Sequence, residues 1–194
     1  MLGFTLLTQP RFMVMRYRRT KIAGGTYFFT LVTHQRQPFL TQSGNIEQLR
    51  LAFRTVKARH PFDIDAIVIL PDHLHCLLTL PAEDFDYSTR WRLIKGYFSR
   101  HCQIYTSQLV SPSRQQKGEK TIWQRRFWEH YIRNEEDFQH HFDYIHFNPV
   151  KHGLVETVKD WDYSSFHRCV AQGIYSQDWG INEKISFDGL SVGE

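Results

Sequence analysis

The sequence predicts an α+β fold with a ferredoxin-like β-α-β-β-α-β core and an antiparallel sheet, followed by a further helix and a C-terminal extension. Three observations predict it. Apolar runs of strand length alternate with stretches of helical period in that order, two of the runs flank a Pro-Asp turn, and a longer helical stretch follows. With 194 residues, 41% of them hydrophobic, the chain has the size and apolar content of one domain with one buried core.

The first half of the chain contains three predicted strands and one predicted helix. Residues 27–33 are rich in aromatic and β-branched side chains, which predicts the first strand. Apolar side chains recur at spacings of three and four over residues 45–60, which predicts an amphipathic helix. Residues 64–70 and 73–80 are apolar runs of strand length, and the Pro71-Asp72 turn between them predicts a hairpin.

The second half adds a helix, a strand and a second helix. Residues 88–107 place apolar side chains at helical spacing among many basic ones. Residues 123–132 predict the fourth strand. Asn134 is a predicted N-cap of the last helix, and Pro149 predicts that this helix ends near Asn148, because a proline interrupts helical hydrogen bonding.

Composition and cysteine usage indicate a cytoplasmic protein without a membrane partner. No run approaches the roughly 18 apolar residues that a membrane-spanning helix needs. The opening MLGFTLLTQP has neither a preceding positive charge nor a small-residue cleavage site, so it does not resemble a secretory signal. Cys76, Cys102 and Cys169 are far apart and form no C-x-x-C, which argues against a disulfide framework or a zinc ribbon.

The net charge of +4 is unevenly distributed along the chain. Basic residues are concentrated in residues 11–21 and again in residues 87–126, where Glu119 is the single acidic residue, so the remainder of the chain is acidic. Two basic segments on an otherwise acidic chain indicate a defined surface for a polyanion such as DNA. Solvated surface charge is the alternative for either segment.

His73-Leu-His75 begins the second strand of the predicted hairpin. Side chains alternate along a strand, so both imidazoles point to one face, about 7 Å apart, and can converge on one divalent cation. Two half-exposed strand histidines are the alternative. On the last helix, Asp137, His141, Tyr144 and Asn148 share one flank at 100° per residue, beside the apolar stripe. A solvated helix face on which Tyr144 merely packs is the alternative there.

These residues resemble a known family. His73-Leu-His75 after an apolar strand and Tyr144-x-x-x-Asn148 on a later helix are similar to the single-tyrosine HUH endonucleases, a superfamily that includes transposases. The resemblance to REP-associated tyrosine transposases of bacteria extends over about residues 15–180 and rests on four further motifs: GGTYFFT at 24–30, WQRRFWEH at 123–130, DYIHFNPVKHG at 143–153 and SSFHR at 164–168. REP denotes the repetitive extragenic palindromes of bacterial genomes.

The resemblance implies an HUH catalytic domain over residues 15–154. In that domain His73 and His75 are metal ligands, Tyr144 is the nucleophile, and the cofactor is Mg²⁺ or Mn²⁺. Asn148 is the implied third ligand, at the position where related transposases usually have Gln. The implied reaction is cleavage and joining of single-stranded DNA beside REP hairpins through a 5′-phosphotyrosine, in the bacterial cytoplasm at the nucleoid.

The remaining segments are predicted either to be loosely ordered or to contribute to DNA recognition. Residues 1–14 and 183–194 are predicted to be loosely ordered. A C-terminal extension over residues 155–194 is expected to contribute to DNA recognition, while the oligomeric state stays open. Basic and aromatic side chains are predicted to bind phosphates or stack on bases, with core packing as the alternative for Trp91. The predicted DNA-binding residues are Arg16, Arg18, Arg19, Arg90, Arg92, Lys95, Arg100, Arg125, Arg126, Trp161, His167 and Arg168.

Two other functions stay open from the sequence. In the first, the two histidines serve a metallo-phosphodiesterase in which water attacks and Tyr144 is structural. In the second, the protein binds hairpins and does not cleave them. A covalent protein–DNA adduct distinguishes the tyrosine mechanism from both.

Overall fold

A four-stranded sheet with helices on both faces organises the chain. A computed structural model describes residues 21–103, 116, 120–181 and 185–193. The described strands and α-helices, in chain order, are β1 (Thr26–Val32), α1 (Ser43–Arg59), β2 (Asp63–Ile69), β3 (His73–Thr79), α2 (Tyr87–His101), β4 (Trp128–Tyr131), α3 (Glu135–Lys151) and α4 (Phe166–Ala171). Within these ranges no helix is both long enough and apolar enough to cross a membrane.

The strand order is β2-β3-β1-β4, and every pair of neighbours is antiparallel. This is the arrangement that a β-α-β-β-α-β chain adopts when each helical crossover spans one intervening strand, so the predicted ferredoxin-like core is confirmed. The predicted hairpin is confirmed as well: β2 and β3 pair along their length, and the backbone N–H of Leu70 donates to the carbonyl of His73 at 2.8 Å.

The two faces of the sheet carry separate cores. Leu74, Cys76 and Leu78 of β3 pack with apolar residues of α1 and α2 on one face. Leu77 packs with apolar residues of α3 on the other face, the face to which His73 and His75 also point. The alternation predicted for β3 is therefore confirmed, and the two histidines lie under α3.

Two predicted elements are too long. Of the strand predicted over residues 123–132, only Trp128–Tyr131 lies in a ladder, and Trp123 forms an isolated bridge. In the intervening chain the N–H of Gln124 still donates to the carbonyl of Val32 at 2.9 Å, and Lys95 of α2 donates to the carbonyls of residues 124 and 125, at 2.6 and 3.5 Å. α2 itself ends at His101, because the next residue is extended, with φ of −66° and ψ of 142°.

The last helix is longer than predicted. α3 continues through Pro149 to Lys151, although the sequence predicts an end near Asn148. A proline so close to a helix end removes one backbone donor only, and the final turn is closed by His152, whose N–H donates to the carbonyl of Asn148 at 3.0 Å. Gly153, with φ of +64°, then ends the helix in the left-handed conformation that glycine tolerates best.

The segment predicted as a C-terminal extension packs into the second core. Val158, Phe166 and Tyr175 are buried there against α3. Ser165 binds the edge of β2: its N–H donates to the carbonyl of Ile67 at 2.8 Å, and its hydroxyl accepts from the N–H of Ile67 at 2.8 Å. Residues up to 181 thus complete the fold, because without them the apolar face of the sheet under α3 would be exposed to solvent beside β2.

Candidate active site

The side chains of His73 and His75 are buried, and each is oriented through its Nδ1 atom. The Nδ1 of His73 lies 2.6 Å from Oδ1 of Asp72, and the Nδ1 of His75 lies 2.8 Å from the hydroxyl of Thr30. A carboxylate only accepts, so Nδ1 of His73 donates. The Thr30 hydroxyl donates to the carbonyl of Val192 and therefore accepts from Nδ1 of His75. With Nδ1 as the donor, the nitrogen of each ring that can bind a metal is Nε2.

Asp72 provides the carboxylate that accepts the hydrogen bond of His73. Burial alone would raise its pKa, but the hydrogen bond and charge of His73, together with those of Arg36, outweigh burial and lower the pKa below its usual value. The Arg36 guanidinium reaches Asp72 at 3.1 Å from a loop in which Gln35 and Arg36 both have positive φ, at 54° and 51°. Two non-glycine residues in this conformation are strained. The same backbone conformation places the Arg36 side chain beside the carboxylate that orients His73.

α3 places Tyr144 and Asn148 over the histidine pair. The ring centroids of His75 and Tyr144 are 5.3 Å apart, in an edge-on arrangement, and those of His73 and His75 are 5.0 Å apart. Asn148 lies one helical turn after Tyr144 and is fully buried. The predicted meeting of the helix flank and the two histidines is thus present in the structure, because the buried side of α3 includes this flank.

This donor set fits a divalent cation. Imidazole nitrogen and amide oxygen are ligands for Mn²⁺ and related ions, and ligand histidines commonly donate their second ring nitrogen to a carboxylate or another oxygen. Both histidines do so through Nδ1, at 2.6 and 2.8 Å. Nε2 of His73 and Oδ1 of Asn148 are buried polar atoms. His73, His75 and Asn148 are therefore the residues that would hold the metal.

A second cluster of metal-ligating types, His130, Asp137 and His141, lies near by. Its three ligand atoms are within 4.8 Å of one another. The two imidazole rings, however, are stacked at 4.7 Å and 18°, whereas a shared metal must lie in the plane of each ring. The carboxylate of Asp137 also accepts from the backbone and side chain of Arg133, both at 3.0 Å. We interpret the cluster as a hydrogen-bond network that ties β4 to α3.

This network gives a stability prediction. Burial opposes the charge of Asp137, but hydrogen bonds from His130 and Arg133 lower the pKa of its carboxyl from 3.8 to about 2. A lowered carboxyl pKa stabilises the fold above about pH 4, and this contribution is lost as the pH falls towards 2. Asp137→Asn should therefore reduce the free energy of unfolding by about 2 kcal/mol at pH 7.

The measurement is urea denaturation at pH 7 and at pH 3, in which the difference between wild type and Asp137→Asn should shrink. Glu136→Gln is the matched control, because Glu136 lies in the same first turn of α3 but is exposed. Its effect should stay within about 0.5 kcal/mol at both pH values. A difference for Asp137→Asn that is equal at both pH values would contradict the assignment.

The C-terminal residues lie across the site. The ring of Phe187 packs edge-on against Tyr144, with centroids 5.2 Å apart, and Val192 accepts the hydrogen bond of Thr30. Tyr144 is only 1% exposed. The prediction that residues 183–194 are loosely ordered is wrong for 185–193, because Phe187 packs beside the apolar flank of α3.

The amino-acid sequence of this chain is similar to those of known proteins. Residues 21–148 match the family model described as IS200-like transposase. The chain is 49% identical over 164 residues to the REP-associated tyrosine transposase of Escherichia coli K12, covering 84% of this chain and 89% of the relative. It is 47% identical over 174 residues to the Haemophilus influenzae protein of that family name, covering 89% and 97%. The chain belongs to the REP-associated tyrosine transposases.

A solved structure agrees with this family assignment. It is that of a REP-associated tyrosine transposase bound to a REP hairpin, with a TM-score of 0.75 and 46% identity. The match covers 92% of the present transposase and 96% of the solved chain. The family resemblance that the sequence motifs indicated is thus confirmed, and with it the transposase class of the protein.

Arg90 does not have the role predicted for it. Its side chain is 2% exposed, and Nη2 donates to the carbonyl of Pro61 at 2.6 Å and to the carboxylate of Asp84 at 2.7 Å. A guanidinium held in this way joins the start of α2 to the neighbouring loops and is not available to DNA. Trp91 is fully buried against Phe29, so core packing, the alternative given for it, is correct.

Other predicted DNA-binding cations lie at the surface. Lys95 binds the carbonyls of residues 124 and 125 and thereby brings the exposed side of α2 next to the segment before β4. We call Arg92, Lys95, Arg125 and Arg126 the basic surface; Arg92, Arg125 and Arg126 are exposed. Arg100 is exposed further along α2. Arg16, Arg18 and Arg19 lie outside the described residues.

The predicted DNA-binding residues near α4 cover the edge of β2. Trp161 donates through Nε1 to the carbonyl of Ile69 at 3.1 Å, and Arg168 donates to two β2 carbonyls, at 2.9 and 2.6 Å. His167 is exposed beside them. Arg168 also lines a groove of about 380 Å³ together with Arg50 and other residues. These contacts give Trp161 and Arg168 a structural role, and their DNA contact stays a prediction.

Sequence reasoning assigned no role to two residues at the site. Lys151 Nζ donates to the hydroxyl of Tyr144 at 2.9 Å, and the His152 ring lies 5.2 Å from that of His73. Both belong to the motif at 143–153, which was a signal that they lie close to Tyr144. They were overlooked because the predicted helix ended at Asn148, which left their direction undefined.

Proposed function

We propose that this transposase is a metal-dependent single-stranded DNA endonuclease and strand transferase that acts at REP-type hairpins through a 5′-phosphotyrosine intermediate. The observation that carries the proposal is the packing of Tyr144 against His75, at 5.3 Å between ring centroids, with Asn148 one turn further along α3. This arrangement places the proposed nucleophile next to the proposed metal ligands. Neither rival function requires a tyrosine hydroxyl at the ligand histidines.

The reaction follows from the side chains. Oη of Tyr144 bonds to the phosphorus, the P–O3′ bond breaks, and a free 3′-hydroxyl is released. The phosphotyrosine retains the energy of the broken bond, so a 3′-hydroxyl can reverse the step and join strands. His73, His75 and Asn148 would hold Mg²⁺ or Mn²⁺, which when bound neutralises the phosphate charge and orients it for in-line attack.

Several observations support a hairpin substrate. The solved relative is bound to a REP hairpin, and its fold matches 92% of this chain. The basic surface offers cations for the DNA backbone. Arg50, Arg54 and Arg168 line the groove beside β2, where a second segment of DNA backbone would find positive charge. We therefore propose that the protein acts at the bacterial nucleoid.

The decisive experiment is adduct formation on a REP hairpin oligonucleotide with a single-stranded flank. Because the 5′ phosphate of the downstream product is the part bound to tyrosine, a label at the 3′ end should travel with the protein in a denaturing gel when Mn²⁺ is present. The assay is run with the full chain and with a chain ending at residue 184. Since Phe187 covers Tyr144, the shorter chain should form the adduct faster.

Each rival has its own outcome in this assay. Cleavage without an adduct would favour a metallo-phosphodiesterase in which water attacks. Hairpin binding without either product, by both chains, would favour a DNA-binding protein that does not cleave. Either result overturns the tyrosine mechanism.

The basic surface should set affinity for any single strand. Arg92→Ala should weaken binding to cognate and scrambled strands alike and reduce the slope of log K against log salt by about 1, because backbone contacts act through counterion release. Fluorescence anisotropy at several salt concentrations measures this. Arg59→Ala, at an exposed position near the end of α1, is the control and should leave the slope unchanged. A loss confined to the cognate hairpin would instead assign Arg92 to base recognition.

A further inference from the structure

Lys151 makes a direct contact with the oxygen that the proposed function assigns as the nucleophile. Its Nζ lies 2.9 Å from Oη of Tyr144 and 4.7 Å from the centre of the Tyr144 ring. The two residues are seven apart on α3, close to two helical turns, so they share one side of the helix. The contact exists because α3 continues past Pro149 to Lys151.

We propose that Lys151 is a catalytic residue of strand transfer, whose ammonium compensates the negative charge on Oη of Tyr144 when that oxygen attacks the phosphate and again when it leaves. This inference rests on the proposed function, because it takes Tyr144 as the nucleophile. It adds a residue and a role to that mechanism.

The buried surroundings of Tyr144 favour such a cation. Tyr144 is 1% exposed, and aromatic rings of Phe28, His75 and Phe187 surround its own ring. An anion in a buried environment is unfavourable unless it is paired. Lys151 supplies a formal positive charge at hydrogen-bond distance, from an exposed position in the last turn.

The step balances without any further reactant. In the forward direction the phenol proton passes to water, Oη bonds to phosphorus, the P–O3′ bond breaks with its electron pair on the 3′ oxygen, and that oxygen takes a proton from water. In the reverse direction a 3′-hydroxyl displaces Oη, which leaves as an anion. The Lys151 ammonium keeps its protons throughout, so it stabilises the negative charge on Oη in both the forward and the reverse step.

A lysine that only contacts the DNA backbone would behave differently. Such a residue stabilises bound DNA before and during reaction, so its loss raises the dissociation constant. A cation on the attacking oxygen acts mainly in the transition state, so its loss lowers the rate of chemistry and leaves binding nearly unchanged. The two roles are therefore separated by measuring binding and single-turnover rates on the same variants.

The test uses the full chain with Lys151→Met, Lys151→Arg and Lys57→Met. Methionine keeps an unbranched stem and removes the charge, whereas arginine keeps the charge. Lys57 is the matched control, because it is an exposed helical lysine paired with Asp63, and α1 lies on the other face of the sheet. The probe is a 3′-labelled REP hairpin oligonucleotide in Mn²⁺. Rates of adduct formation and of rejoining by an added 3′-hydroxyl strand are measured, together with the dissociation constant.

Lys151→Met should slow both adduct formation and rejoining by about 10²- to 10³-fold, comparable with the loss of one preorganised donor to a developing anion. Its dissociation constant should change by less than about threefold, which corresponds to about 0.7 kcal/mol. Lys151→Arg should recover a large part of both rates, and Lys57→Met should match the wild type. Lys151→Gln replaces the methionine variant if thermal unfolding indicates a lost fold.

The outcomes distinguish the two proposals. If the wild type forms the adduct and Lys151→Met does so at the same rate, the role of Lys151 is overturned and the proposed function stands. If binding weakens by the factor by which the rate falls, Lys151 is a backbone contact and the inference is wrong. If the wild type and the chain ending at residue 184 both form no adduct, the proposed function fails first.

Discussion

Tyr144→Phe is expected to eliminate the covalent adduct and to slow strand cleavage by more than about 10⁴-fold, as removal of a nucleophile does in other covalent enzymes. Only Oη is removed, so the ring keeps its contacts with His75 at 5.3 Å and with Phe187 at 5.2 Å. The fold and the affinity for the hairpin should therefore be retained. The adduct is measured by denaturing gel with a 3′-labelled hairpin, and binding by anisotropy.

Tyr163→Phe is the control for this experiment, since Tyr163 is a half-buried tyrosine beside Trp161 at the edge of β2, away from His73 and His75. It should form the adduct at the wild-type rate. An adduct that persists in Tyr144→Phe would place the nucleophile elsewhere, and Tyr131 and Tyr163 would then be tested as the attacking residues.

His73→Ala and His75→Ala should each reduce cleavage by more than about 10²-fold and weaken Mn²⁺ binding by a similar factor, because each removes one of few ligands. Isothermal titration calorimetry measures the metal affinity independently of activity. His140→Ala is the control, because His140 is exposed on the same helix that carries Tyr144. Full activity of the wild type in EDTA would contradict any role for a metal.

Asn148→Ala should have a smaller effect than either histidine substitution. An amide oxygen is a neutral ligand, and water can take its place in the coordination shell of Mg²⁺ or Mn²⁺. The comparison is made in the same calorimetric and cleavage assays. A loss as large as that of His75→Ala would make Asn148 a full ligand, and no loss would remove it from the set.

Part of this site was predictable because it depends on periodicity alone. Side chains alternate along a strand, so His73 and His75 had to share a face once β3 was identified. Helical spacing likewise brought Tyr144 and Asn148 to one flank of α3. The strand order also followed from the order of elements, because short crossovers over one intervening strand allow few arrangements.

Other features depend on contacts between residues that are distant along the chain. Arg90 has the sequence surroundings of a DNA-binding residue, yet its guanidinium is buried and donates to the carbonyl of Pro61, 29 residues earlier in the chain. The C-terminal segment was predicted to be loose, yet Phe187 packs against Tyr144. No local pattern indicates either contact, since each partner lies in a different element.

The sequence by itself determined the β-α-β-β-α-β core, the pair of histidines on one face of β3, and the placing of Tyr144 and Asn148 on one flank of a later helix, because local periodicity and turn chemistry specify these features. Only the tertiary structure decided that α3 continues past Pro149, which sets Lys151 at 2.9 Å from the Tyr144 hydroxyl. A proline near a helix end removes one hydrogen bond, and whether the helix ends there depends on the packing of the last turn. That packing involves residues far along the chain.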